Sequence, residues 1–334
     1  MFSVLNYINP IKIAVIGDIH FNHKKPVSRI DDYVESVFEK LNKIRSDLIL
    51  ENIKDCFILG DVFHTPRQPI QFINRCISEL SKFKQSGINL YSIIGNHDLL
   101  NERLDWIEKT PIYTLFVSGV LQHVSSEKPL KIAITGQNRN IKISCFDYTE
   151  LLKQPQRENN EICVCIAHRY YDFSFSELSL TEKDLDSLDY DAYILGHDHE
   201  NYKTLKKNNW ILIRPGSLTR GTATVHNISR KPCYSIVSFN VVNNKVVINE
   251  EQREIDCPDG SLVFSEEKLQ KKEKKDDIGV KFENILNTMR ENKTNKKSIY
   301  DYLDSMEMEK DTRRLIECYL TESGFTKTEN KTDE

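Results

Sequence analysis

The chain has no apolar run of membrane-spanning length, no CxxC cysteine pair, no internal repeat and no excess of basic residues. Each absence removes a class of protein. A membrane-crossing helix needs about 20 consecutive apolar residues, and the runs present are far shorter. Residues 1–10 lack the basic start and apolar core of a signal peptide. The expected location is therefore the cytoplasm, or the host cytoplasm for a viral chain. Eight cysteines without a CxxC spacing read as reduced core thiols rather than disulfides. Cys163 and Cys165 alternate with Val164 and Ile166 on an expected buried strand. A net charge of -4 argues against a protein that coats nucleic acid with a generally basic surface, though local patches remain open to it.

What is present is a set of five short motifs, each following an apolar, β-branched run: IKIAVIGDIH, CFILGD, LYSIIGNHD, ICVCIAH and AYILGHDH. The pattern places Asp18, His20, Asp61, Asn96, His168, His197 and His199 where buried strands end. Open α/β sheets bind ligands at such carboxyl ends. A single Gly-Asp after a strand is an ordinary turn. Five motifs in order are different, because they hold five of the nine histidines of the chain. Mixed carboxylate, amide and imidazole donors suit manganese, zinc or iron better than an all-oxygen cage does. Two cations about 3.5 to 4 Å apart must share a ligand, and Asp61, after Gly60, is the candidate bridge.

The ordered set D-x-H, G-D, G-N-H-D, H and G-H-x-H resembles the calcineurin-like metallophosphoesterases, over residues 11 to about 220. The resemblance implies that Asp18, His20, Asp61 and His199 hold one divalent cation, most often Mn(2+), and that Asp61, Asn96, His168 and His197 hold a second. It implies that His97 is the catalytic imidazole, with Asp98 either orienting it or forming a turn. Within that superfamily, GDVFHTPRQP and RPGSLTR are similar to segments of the SbcD-type double-strand-break-repair nucleases and their phage counterparts. By that likeness His64 handles substrate, and Arg214 and Ser217 line the same edge; Phe63, by contrast, reads simply as core. Lys24, Lys25, Arg67, Arg139, Arg169 and Arg220 are further candidates for contacts to phosphate.

Residues 28–50 carry Tyr33, Val34, Val37, Leu41, Ile44 and Leu48 at helical spacing, which predicts a βαβ unit. A second helix is expected over 69–84, with Ile73, Ile77, Leu80 and Phe83 on one stripe, and a third after Asn101. Alternating runs over 123–148 and 201–248, with turns at Lys207-Asn208-Asn209 and Asn243-Asn244, indicate hairpins. The expected fold is a two-sheet αββα sandwich with mixed sheets and a small C-terminal helical unit. Residues 1–264 would form the catalytic domain, 265–277 a charged linker, 278–323 a helical docking unit and 324–334 a polar tail.

Three functions compete: a manganese-dependent DNA nuclease of repair or recombination, a phosphoesterase for small molecules or phosphoproteins, and a silent scaffold. A scaffold would be expected to lose ligands, and here none is missing. The resemblance implies DNA as substrate, an SMC-like (SbcC-type) coiled-coil ATPase as partner, and homodimerisation through the helices after Asp61 and Asn101.

Overall fold

The computed structural model describes residues 4–7, 10–134, 139–173, 178–242, 245–265 and 313. The chain divides into a unit Met1–Leu269, which holds every element below, and a unit Gln270–Glu334. The expected docking helices over 278–323 and the tail over 324–334 lie outside the described residues apart from Arg313, as does the linker apart from Ser265.

The chain opens with β1 (Val4–Tyr7) and β2 (Ile11–Ile16), then α1 (Tyr33–Leu50), β3 (Asp55–Ile58), α2 (Ile70–Gln85) and β4 (Asn89–Ser92). A 3-10 turn (Leu104–Lys109) leads into α3 (Pro111–Val117), β5 (Gln122–His123), β6 (Leu130–Ile134), β7 (Asn140–Phe146) and β8 (Glu161–His168). There follow α4 (Glu182–Leu188), β9 (Ala192–Gly196), β10 (Leu205–Lys206), β11 (Ile211–Ile213), α5 (Val225–Ser229), β12 (Cys233–Val242), β13 (Lys245–Glu254) and α6 (Gly260–Val263). Two sheets result, ordered β1-β6-β7-β8-β9-β11-β10 and β13-β12-β2-β3-β4-β5. Both are mixed: β2, β3 and β4 run parallel, as do β7, β8 and β9, while β12 joins β2 antiparallel.

Period-two alternation sorts side chains into layers. From β2, Ile11, Ile13 and Val15 meet Val164, Ile166 and Ile194 between the sheets. Ala14 and Ile16 face the other way, against Val37, Leu41 and Ile44 of α1 and Cys76 and Leu80 of α2. On the far side of the larger sheet, Cys163 and Cys165 pack with Leu185 of α4, Tyr193 and Trp210. The four layers are thus helix, sheet, sheet and helix, as the sequence pattern predicts. Of the seven cysteines described, all are free thiols and six are buried.

The helices differ in detail from expectation. Helix α1 starts at Tyr33 rather than near residue 28, because Asp32 caps it, its side chain accepting from the Glu35 N–H. In α2 the buried residues are Phe72, Cys76, Leu80 and Phe83, so Ile73 and Ile77 flank the stripe instead of forming it. The hairpins appear as β6–β7, β10–β11 and β12–β13. Val242 pairs with Lys245 across the Asn243-Asn244 turn, which itself lies outside the described residues.

Candidate metal centre

Every predicted ligand follows the carboxyl end of a parallel strand or closes one. Asp18 and His20 come after β2, Asp61 after β3, Asn96 after β4, and His197 and His199 after β9, while His168 is the last residue of β8. Since β2, β3 and β4 lie in one sheet and β8 and β9 in the other, the site forms where the two sheets face each other at one edge.

The predicted ligands assemble there in two groups, Asp18 with His20 and His199, and Asp61 with His168 and His197, and a third group joins His20 to His64 and His97. Nε2 of His20 is 2.9 Å from Nε2 of His199, and the latter is 3.4 Å from Asp18 Oδ2. Nε2 of His168 is 3.1 Å from Asn96 Oδ1. Asp61 Oδ2 links the groups, 3.4 Å from His168 Nε2 and 3.9 Å from His20 Nε2. The other Asp61 oxygen is already engaged, since Oδ1 accepts from the His97 N–H at 2.9 Å. Oδ2 is the oxygen that faces both groups.

These atoms fit a cation better than they fit each other. Asp18 Oδ2 and Asp61 Oδ2 are buried without a hydrogen-bond partner among the described residues, a costly state that a cation relieves. Nδ1 of His168 lies 2.7 Å from the Leu59 carbonyl. A carbonyl only accepts, so Nδ1 carries the proton and Nε2 turns its lone pair to the site when the ring is neutral. Burial, with Asp61 beside it, pushes Asp18 up to about 7 although His168 pulls the other way. For His168 burial disfavours the charge, but Asp61 and Asp18 outweigh it and hold the ring at about 9. Burial lowers His197 to about 3, so it is neutral, as a ligand must be; burial of the inward half of His199 draws that ring down to about 4, although its side chain is 50% exposed.

The backbone is bent to make this arrangement. His20, Asp61 and His197 all have positive φ, at 51°, 46° and 85°, a costly conformation for residues with a Cβ that collects at functional sites. Two of the glycines here leave no room for a Cβ beside a candidate ligand's side chain. At Gly60, with φ +89°, a Cβ would lie 2.7 Å from His168 Nδ1. At Gly95 it would overlap Asp61 Oδ1.

His97 projects beside the ligands, its ring 5.0 Å from that of His20. Its Nδ1 is 2.8 Å from the His64 carbonyl, so Nδ1 carries a proton and Nε2 is left to exchange one. His64 thus touches the site in a way its residue type did not signal, through its backbone oxygen and through a ring stacked on His97 at 5.3 Å. Asp98 does not orient His97. Its carboxylate accepts from the N–H groups of Val62, Phe63 and Gly95 at 3.2, 2.9 and 3.1 Å, tying the loop after β3 to the loop after β4. Burial, with Asp61 nearby, pushes Asp98 up to about 8 against those three donors. Phe63 is core, as predicted.

The candidate cations divide. Arg214 is stacked between aromatic rings, 3.9 Å from the centroid of Tyr202 and 5.1 Å from that of Tyr171. Lys24, Lys25 and Arg67 are exposed and Arg139 is half-buried. Arg169 and Arg220, also read as candidates for phosphate contacts, are buried. Arg169 donates to the carbonyls of His168 and Glu150, and Arg220 to those of Arg230 and Pro258. Ser217 is also buried, and its hydroxyl holds the Asp18 carbonyl at 3.0 Å. Sequence reasoning missed Tyr33, which donates to the His20 carbonyl at 2.9 Å. It also missed Tyr170, whose ring lies 3.9 Å from that of His197, and Arg230, which donates to the Ser217 carbonyl at 2.8 Å. Tyr33 carried a signal only as a core residue; the other two carried none.

The calcineurin-like phosphoesterase description matches residues 11–201, more than half of the chain, which belongs to that family. The family binds divalent metals and hydrolyses phosphate esters, and the two donor groups supply the residues such a site uses. A stretch of 74 residues is 34% identical to the DNA double-strand break repair protein Mre11 of Methanococcus maripaludis, covering 21% of this chain and 18% of that protein. The match therefore spans less than a fifth of that relative's length. Among solved structures, vacuolar protein sorting 29 from Cryptosporidium parvum is 14% identical, covering 73% of this chain and 98% of its own, with a TM-score of 0.35. A dimetal phosphatase from Danio rerio is 9% identical, covering 74% and 100%, with a TM-score of 0.48. GAP50, the anchor in the inner membrane complex of Plasmodium, is 10% identical, covering 74% and 90%, with a TM-score of 0.42. Among the described residues no helix is long and apolar enough to cross a membrane.

Proposed function

We propose that the chain is a manganese-dependent DNA nuclease of the SbcD type, hydrolysing phosphodiesters with two metals in repair or recombination. The observation that carries the two-metal reading is the pair of donor groups that meet at Asp61 Oδ2. In this reading Asp18, His20, Asp61 and His199 hold one cation, and Asp61, Asn96, His168 and His197 the other. Bound cations of this kind bring water toward ionisation at neutral pH and offset the charge that develops on phosphate. The chain supplies the rest. Leu59 fixes the His168 tautomer through its carbonyl, and Ser217 and Tyr33 pin the backbone of Asp18 and His20 from behind. His97 gives the leaving sugar oxygen a proton from Nε2, while the His64 carbonyl holds the opposite nitrogen. DNA as substrate rests on the GDVFHTPRQP segment and on the partial likeness to Mre11. An SMC-like ATPase as partner and a homodimer follow in this reading only from the resemblance of the GDVFHTPRQP and RPGSLTR segments to the SbcD-type nucleases.

One observation favours a smaller phosphoester instead. Arg169 and Arg220 are buried and reach backbone carbonyls, which leaves fewer surface cations to follow a polynucleotide backbone. Incubating the protein with manganese and an end-labelled duplex, beside a generic phosphodiester, separates the two readings. The nuclease reading expects the duplex to be degraded, and turnover of the small ester alone would overturn it.

A further inference from the structure

A cavity of about 30 Å³ is lined by Arg29, Lys40, Lys43, Arg220, Cys257 and Pro258 among others. A single water needs roughly 10 to 15 Å³ on this measure, so the space holds more than one. Its charges do not balance. Three acids also line it, Asp31, Glu39 and Asp256. Asp31 is spent on Arg29, with an N–O distance of 2.6 Å. Asp256 pairs with Lys43 at 3.3 Å and points into solvent, and Glu39 is exposed. Two buried cations are left over.

Lys40 is only 3% exposed, and no hydrogen bond or ion pair to its ammonium occurs among the described residues. Arg220 is 2% exposed. Its terminal nitrogens reach the carbonyls of Arg230 and Pro258 and the Cys257 sulfur, its Nε has no partner, and no carboxylate pairs with it among the described residues. Burial, reinforced by Arg29 and Arg220, draws Lys40 down to about 8, so it is still mostly charged at neutral pH. Buried unpaired charge is strongly unfavourable, and two such groups converging on one cavity fit a missing anion. Phosphate offers both the charge and the acceptor oxygens that an ammonium and a guanidinium edge require.

We propose that this cavity binds a tetrahedral oxyanion, inorganic phosphate or the phosphate group of a small ligand, between Lys40 and Arg220. The site is separate from the metal centre, which it neighbours through Tyr33, whose ring lies 5.3 Å from the Arg29 guanidinium.

The test uses the full chain stripped of metal with EDTA, so that phosphate cannot ride on bound cations. Inorganic phosphate should raise the melting temperature by several degrees where chloride of equal ionic strength does not. Glycerol phosphate in parallel distinguishes the sources: an equal rise assigns the cavity to a ligand's phosphate group, and no rise assigns it to the free ion. Lys40→Met should lose the phosphate-dependent rise and Lys40→Arg should keep it. An equal rise in Lys40→Met, or no rise in the wild type, overturns the proposal. Should Lys40→Met fail to fold, wild-type crystals grown with arsenate decide. An anomalous peak beside Lys40 and Arg220 supports the site, and a map with a peak only at the metal centre, or with none, overturns it.

Discussion

Asp61 carries the metal centre at the scale of single residues, because one of its oxygens fixes the loop after β4 and the other faces both donor groups. Asp61→Ala should therefore strip both cations rather than one, as metal analysis after gel filtration would report. Retention of two manganese ions per chain would contradict the shared ligand. Gly95→Ala should act almost as severely without touching a ligand, since the added methyl would sit on Asp61 Oδ1. Metal uptake should also depend on pH with a definite sign. Asp18 is raised to about 7 and His168 to about 9 in the metal-free site, so protons compete with the cation below those values. The cation held by His168 should bind about tenfold more weakly per pH unit below about 9, and the cation held by Asp18 about tenfold more weakly per unit below about 7, one proton being displaced at each site. Calorimetry in buffers of different ionisation enthalpy counts those protons, and a flat profile from pH 6 to 9 would refute the assignment.

Among the elements, α1 and α2 show what a sequence can and cannot fix. Their existence follows from apolar spacing, but the start of α1 follows from the cap at Asp32, and the stripe of α2 turns on Phe72 and Cys76 rather than Ile73 and Ile77. Which residues flank a stripe depends on what the helix rests on, and periodicity alone does not specify that. The turn leaves Ile70 70% exposed, and Val117 at the end of α3 is 69% exposed. If these helices pair two copies of the chain as proposed, wild type should sediment as a dimer at micromolar concentration and Ile70→Asp as a monomer. A wild-type monomer would end that reading. The hairpins were legible from Asn-rich turns, whereas the sheet each one joins was not: β12 crosses to β2 through contacts distant in sequence.

For the whole molecule, the candidate metal ligands that the structure brings together were legible because strand, glycine and donor recur together along the chain. The supporting residues were not. The carbonyl of His64, the positive φ of His20, Asp61 and His197, and the buried donors of Arg169, Arg220 and Arg230 are properties of backbone and packing, and residue type does not encode them. The proposed docking unit over 278–323 predicts that a chain ending at Asp277 keeps its metal-dependent cutting but no longer co-purifies with its ATPase. Binding by the shortened chain, or its aggregation with loss of metal, would refute that unit. The central claim is phosphodiester hydrolysis with His97 as proton donor, and the rate of manganese-dependent degradation of end-labelled DNA by wild type and His97→Ala tests it most directly. At equal manganese content the variant should be slower by roughly 10² to 10⁴, and equal rates in the two proteins, or no degradation by either, would contradict it.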